Sequence, residues 1–254
     1  MTPPEMLGVF AAGAGAGALN AVVGSGTLIT FPVLLATGLS PVTATVSNAL
    51  GLIPGSVGGA IGYRRELAGQ GRRLRRFGAG AALGGLAGAT LLLALPAEAF
   101  ETIVPTLVGL ALVLVAFQPL ISRAVRARRG ERPSSRRDGG APLLAGLTLA
   151  SVYGGYFAAA QGIIYVSLMG LLLDEPLQRL NAVKNVLAAI VNAVAATFFL
   201  FVADFDWTAV ALIAAGSALG GRFGAGAGRR FSPAVLRALI VTVGTVALVQ
   251  LLLR

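Results

Sequence analysis

Gly80-Ala81-Ala82-Leu83-Gly84-Gly85-Leu86-Ala87-Gly88-Ala89 reappears 136 residues later as Gly216-Ser217-Ala218-Leu219-Gly220-Gly221-Arg222-Phe223-Gly224-Ala225. At the same offset Gly26 meets Gly162, and one residue further on Asn48 meets Asn185. An apolar stretch with a polar break, a helix with a polar stripe and a Gly-rich helix therefore recur in the same order, which points to a duplicated unit. Glycines four residues apart lie on one face of a helix and let a neighbouring backbone come close. The sets Gly80/Gly84/Gly88 and Gly216/Gly220/Gly224 accordingly read as packing surfaces.

The chain around these motifs is too apolar for water. Of its 254 residues 56% are hydrophobic and 12% charged, with a mean hydropathy of +0.83, whereas soluble domains carry roughly 25% charged residues. There are no cysteines and no histidines, which removes disulfides, thiolate and imidazole metal sites, haem ligation and histidine bases. No Walker-type phosphate loop occurs, and all ten acids lie at expected ends or loops, so neither ATP hydrolysis nor a buried carboxylate relay is expected. No cofactor and no metal are expected, and the chain is not read as an enzyme.

About 20 apolar residues cross the hydrocarbon as a helix. The simple spans expected are 40–63, 75–95, 102–122, 178–203 and 232–253, with 207–227 interrupted only by Arg222. Stretches 6–37 and 141–173 are too long for one span and short for two. Each is broken near its middle, by Gly24-Ser25-Gly26 and by Ala160-Gln161-Gly162, and each reads as a helical hairpin whose tip reaches into the membrane.

Most of the net charge of +10 serves as a topology ruler. Thirteen of the twenty cations fall in two clusters, Arg64/Arg65/Arg72/Arg73/Arg75/Arg76 and Arg123/Arg126/Arg128/Arg129/Arg132/Arg136/Arg137. Cytoplasmic loops concentrate arginine in this way, so 64–76, 123–140 and 228–230 are placed inside, and the acidic turns Glu98/Glu101 and Asp204/Asp206 outside. Each half then makes an odd number of crossings and the two run in opposite directions. The expected fold is an all-α polytopic membrane protein of two inverted repeats, each a broken helical hairpin plus three transmembrane helices. Residues 1–122 form the first repeat, 123–140 a basic cytoplasmic loop and 141–254 the second. No basic residue precedes the first apolar stretch, so that stretch is expected to remain in the mature protein. No soluble basic domain is left over for nucleic acid.

Two sets of residues are candidates for chemistry. Gly24, Ser25, Gly26 and Thr27 precede a helix over 27–37, and Gln161 and Gly162 precede one over 163–173. A helix that starts within the membrane aims free N–H groups and the positive end of its dipole at what lies before it, which favours an anion. The other reading of these small residues is helix packing. The second set is polar: Thr43, Thr45, Ser47 and Asn48 on span 40–63, and Asn181, Lys184, Asn185 and Asn192 on span 178–203, the last four sharing one face. Lys184 lies about seven residues into its helix, roughly 10 Å from the start. An ionisable group at that depth points to function, against which stands a lysine that snorkels back to the cytoplasmic headgroups.

The stretch Asn20-Ala-Val-Val-Gly-Ser-Gly-Thr-Leu-Ile-Thr-Phe-Pro32, with Pro41-Val-Thr-Ala-Thr-Val-Ser-Asn48 and Gly62-Tyr-Arg-Arg-Glu-Leu67, resembles the first half of the TauE/SafE family of membrane permeases. Tyr153-Gly-Gly-Tyr-Phe157, Asn181-Ala-Val-Lys-Asn185 and Asp206-Trp207 resemble its second half. The resemblance covers nearly the whole chain and draws Asn20 into the candidate site. It implies a prokaryotic cytoplasmic (inner) membrane protein linked to export of sulfite, sulfoacetate or related sulfur-containing anions. The chain departs from the family where Ser25 stands in a break usually richer in glycine, and where Ala158 and Ala160 stand in a usual Gly-x-Gly-x-Gly run ending here at Gly162.

The function expected is a secondary transporter that exports a small oxyanion, sulfite or an organosulfonate, by alternating access. The alternative is an anion channel or an uptake permease for another sulfur-containing anion such as thiosulfate. The expected partners are that anion and the lipid bilayer, with a homo-oligomer left open.

Overall fold

In the computed structural model residues 1–129, 139–227 and 233–252 are described, and among them the chain is helical throughout with no strand. The helices are α1 (Pro3–Val22), α2 (Thr27–Ala36), α3 (Pro41–Gly51), α4 (Ile53–Gly62), α5 (Gly71–Ala94), α6 (Ala97–Arg129), α7 (Gly140–Tyr156), α8 (Gln161–Leu172), α9 (Leu177–Val202), α10 (Trp207–Ala227) and α11 (Pro233–Leu252). Local chemistry sets several of their starts. At α1, Pro3 and Pro4 occupy the first turn, where no intrahelical N–H is needed, and the Thr2 amide donates to Glu5 Oε2 at 2.7 Å. At α3, Pro41 follows Ser40, whose hydroxyl accepts from the Thr43 amide at 3.2 Å. The Asp206 carboxylate caps α10 by accepting from the Ala209 amide at 2.8 Å.

Among the described residues four helices are long and apolar enough to cross a membrane: Pro3–Val22, Gly71–Ala94, Glu98–Ile121 and Leu177–Val202. The apolar helices α2 and α8 are shorter, at 10 and 12 residues.

Three expectations are corrected. Span 40–63 is not one helix but two, α3 and α4, divided at Leu52. The cause is Pro54 in the first turn of α4: proline has no N–H for the ladder, and its ring clashes with the carbonyl four residues earlier. Hairpin 141–173 breaks at Phe157–Ala160, so Gln161 and Gly162 are the opening turn of α8 rather than the break itself. Here Ala158 and Ala160 take left-handed conformations (φ 65° and 57°), which end α7 and start α8. The basic stretch 123–140 does not begin as a loop, because residues 123–129 continue α6 for a total of 33 residues. Its Arg132, Arg136 and Arg137, and stretch 228–230, lie outside the described residues.

The glycine stripes do seat neighbouring helices. α1 packs along α10, and α7 along α5. A Cβ on Gly224 would lie 2.5 Å from Ala18 Cα, and one on Gly80 would lie 2.6 Å from Thr148 Oγ1; Gly220 faces the Ala14 carbonyl and Gly88 the Val152 carbonyl. Apolar helices in lipid gain little from hiding from the solvent around them, so association rests on van der Waals contact and close approach. The opposite faces of the same helices hold α4 and α9: α10 packs on α4 and on the end of α3, where the Ser217 hydroxyl donates to Gly51 O at 2.7 Å, and α5 packs on α9. The first helix of each hairpin is thus gripped by the Gly-rich helix of the other half of the chain. This brings the two interrupted segments, 23–26 and 157–160, to the same place.

Candidate functional site

The first break meets the opening turn of α8, just past the second break. Gly162 N donates to Gly24 O at 3.1 Å, and a Cβ on Gly24 would fall 2.5 Å from Gly162 Cα. Gly24 also has φ +85°, so both its conformation and its contact require the missing side chain. Behind the contact stands an aromatic wall: the Phe157 ring packs edge-on to Phe31 at 5.1 Å between centroids and lies 6.2 Å from Phe100.

Beside the junction is a cavity lined by Asn20, Gly24, Thr27, Ser56, Ala158, Gln161, Gly162, Lys184, Asn185, Ala188 and Asn192. The space open to the centre of a water-sized sphere is about 20 Å3, enough for little more than one water. No acid lines it. Among the described residues there is no group of three acids that would hold a metal ion.

Lys184, on the inward face of α9, is 1% exposed. Its ammonium donates to Asn20 O at 2.8 Å and to Ala21 O at 3.3 Å, and Asn185 Nδ2 donates to the same Ala21 O at 3.3 Å. The last carbonyls of α1, which have no helical continuation to bond, are therefore satisfied by side chains from the other half of the chain. The ammonium points into the junction and away from the surface, unlike a snorkelling lysine. Among the described residues no carboxylate pairs with it; the ion pairs there join Glu175 to Arg73 (2.9 Å) and Arg179 (2.7 Å).

The first turn of α2 faces the same space. Asn20 Oδ1 accepts from Gly26 N at 2.7 Å, and Leu28 N and Ile29 N bond back to Ser25 O and Gly26 O. The Thr27 and Ser25 amides have no protein acceptor among the described residues. The start of α8 is different: Gln161 N, Gly162 N and Ile163 N bond to Ala158 O, Gly24 O and Ala160 O. The device expected at both breaks is open at the first and internally satisfied at the second. Gln161 instead contributes its side chain, which lies over Gly154 and donates to the Tyr165 hydroxyl at 2.6 Å; that hydroxyl also meets Ser151 Oγ at 2.6 Å.

Of the residues expected from sequence, Asn20, Gly24, Thr27, Gln161, Gly162, Lys184 and Asn185 stand at the cavity, and Ser25 and Gly26 form the loop behind it. Three stand elsewhere. Asn48 braces α2, donating to Thr27 Oγ1 at 3.2 Å and accepting from Thr30 Oγ1 at 2.5 Å. Ser47 accepts from the Asp206 amide at 3.1 Å and ties α3 to the turn before α10. Asn181 shares the Lys184 face but lies one turn nearer the start of α9, below the cavity. Ser56 and Ala188 were not anticipated; Ala158 was noted with Ala160 as a departure from the family's glycines, and of the two only Ala158 lines the cavity, while Asn192 was read on the polar stripe but not placed in the site. Ser56 is 2% exposed and its hydroxyl has no partner. The one sequence signal near it was Pro54, two residues before it in the first turn of α4.

Comparison with known proteins gives one consistent result. The sequence pattern of the family described as "Sulfite exporter TauE/SafE" matches residues 9–251. The chain is 29% identical over 259 residues to "Probable membrane transporter protein YfcA" of Escherichia coli strain K12, covering 99% of this chain and 91% of that protein. It is 26% identical over 220 residues to a "Probable membrane transporter protein" of Haemophilus influenzae, covering 85% and 82%. No solved structure matches it.

Proposed function

The chain belongs to the sulfite exporter TauE/SafE family of multi-pass membrane transporters, and from that premise we propose that it is a secondary transporter carrying a small oxyanion, sulfite or an organosulfonate, outward by alternating access. The observation that carries this reading is the Lys184 ammonium, buried in the wall of the cavity where the first break meets the opening turn of α8 and without a carboxylate partner among the described residues. Burying an unpaired ion costs several kcal/mol, and an arriving anion offsets that cost. Two of the three ammonium protons go to Asn20 O and Ala21 O, leaving one for the substrate. The Thr27 amide at the positive end of α2, beside the cavity, supplies a further donor. Ser56, Gln161, Asn185 and Asn192 give hydrogen bonds of fixed direction.

The two halves act in this reading as inverted repeats that rock against each other, with the substrate held between them. Support comes from the sequence repeat and from the exchanged packing of α1 on α10 and α7 on α5. The protein operates in the cytoplasmic membrane of a prokaryote with the basic segments 64–76 and 123–140 inside. Each negative charge expelled from a cell with a negative interior gains roughly 2.3 kcal/mol per 100 mV, so export needs no second energy source.

Proteoliposomes loaded with sulfite test the reading. Saturable efflux that rises with an inside-negative potential is the expected result, and absence of flux across a panel of sulfur oxyanions and sulfonates refutes it. Flux that does not saturate marks a channel, and uphill accumulation of thiosulfate marks an uptake permease.

A further inference from the structure

We propose that Ala158 is the size filter of this cavity, and that the site as built takes a compact inorganic oxyanion and excludes a sulfonate carrying an organic tail. The inference rests on the anion-transport reading above and narrows its substrate class. Among the described residues only two non-glycine residues have positive φ, Ala158 (65°) and Ala160 (57°), both in the four-residue break between α7 and α8. In the left-handed region a Cβ crowds its own backbone, and such residues persist only where the surroundings over-determine them. Their positions differ in one decisive respect. Ala160 is fully buried and does not line the cavity, whereas Ala158 is partly exposed and its residue forms part of the wall.

The Ala158 wall is held from both sides. Its amide donates to Tyr153 O at 3.3 Å, its carbonyl accepts from Gln161 N at 3.4 Å, and the next carbonyl, Ala159 O, accepts from the Tyr153 hydroxyl at 2.6 Å. The preceding ring, Phe157, is wedged against Phe31 and Phe100. The wall at position 158 therefore has no easy route out of the way. It borders a space of about 20 Å3, the order of one water by that measure, so one carbon more or less at this position is a large part of what decides which solute fits. Modest widening admits a three- or four-oxygen anion; an alkyl tail needs the pinned wall to withdraw.

The test compares sulfite with ethanesulfonate, which keeps the sulfonate head and adds a two-carbon tail, in proteoliposomes of the wild type, Ala158→Gly and Ala160→Gly. Wild type is expected to move sulfite about tenfold faster or more, the scale on which one or two carbons are discriminated in a fitted pocket. Ala158→Gly is expected to raise ethanesulfonate flux about tenfold with sulfite flux changed less than about threefold. Ala160→Gly relieves the same kind of backbone strain without touching the cavity, so both variants should melt at higher temperature while only Ala158→Gly changes selectivity. Equal rates for the two anions in wild type, or an identical selectivity in all three proteins, overturns the filter and leaves the transporter reading standing. If no variant moves either anion, the transporter reading falls and the filter falls with it.

Discussion

Lys184 is the one lysine in a chain whose other cations are all arginine. A compact ammonium fits between two carbonyl oxygens and a small anion, where a planar guanidinium would need a wider, forked partner. Replacing it by glutamine keeps a donor for Asn20 O and removes the charge. Asn185 still covers Ala21 O, so Lys184→Gln is expected to stay folded and monodisperse in detergent while sulfite efflux falls more than tenfold, about 1.4 kcal/mol or more of lost stabilisation. Unchanged efflux would show that the charge does not meet the substrate. Ser56 gives the complementary case. Its buried hydroxyl has no protein partner, so Ser56→Ala removes an unsatisfied group and should leave the melting temperature equal or slightly higher. Efflux should nevertheless slow several-fold, because the lost group faces the cavity. A variant with lower stability and unchanged transport would assign Ser56 to packing instead.

Among the elements, the glycines of α5 and α10 set how near two backbones come. Gly220 faces the Ala14 carbonyl so closely that no side chain has room, whereas Gly15 on α1 has nothing within 4 Å of where a Cβ would be. Gly220→Leu is therefore expected to separate α1 from α10 and abolish a monodisperse, heat-stable protein. Gly15→Ala should raise stability by about 0.5–1 kcal/mol, the cost of glycine within a helix. Thermal melts of the two purified variants check both, and equal behaviour would mean that small residues act here only through composition. The packing face of these stripes was legible in the sequence because spacing by four is a property of one helix. Which helix occupies each stripe was not, since α1 reaches α10 across nearly the whole chain and α7 reaches α5 past the intervening α6. The division of 40–63 into α3 and α4 was partly legible: Pro54 was visible, but hydropathy averaged over a span does not register one missing N–H.

For the whole molecule the open question is orientation, and the sequence offers a clean experiment because it contains no cysteine. Single cysteines placed at Arg65 and Glu98, and at Asp204, should label from opposite sides of the membrane. Residue 65 should be protected from an impermeant maleimide added outside intact cells, and residues 98 and 204 should react with it. Labelling of residue 65 from outside would reverse the charge-based topology and with it the direction of export. Composition, apolar segment lengths and the Gly-rich repeat were enough to give an all-helical membrane protein with two interrupted hairpins. These features depend on neighbours within a turn or two of the chain and on a single solvent, the bilayer. Tertiary structure alone decided that the first break touches the opening turn of α8 at Gly24 and Gly162, that Lys184 caps α1 from the far half, and that Ser47, Asn48 and Asn181 stand away from the cavity while Ser56 lines it and Ala158 does so where Ala160 does not. Contacts between residues some 140 to 160 positions apart depend on how close two helices approach and at what depth. Helical spacing fixes which face a side chain occupies but leaves both of those quantities free.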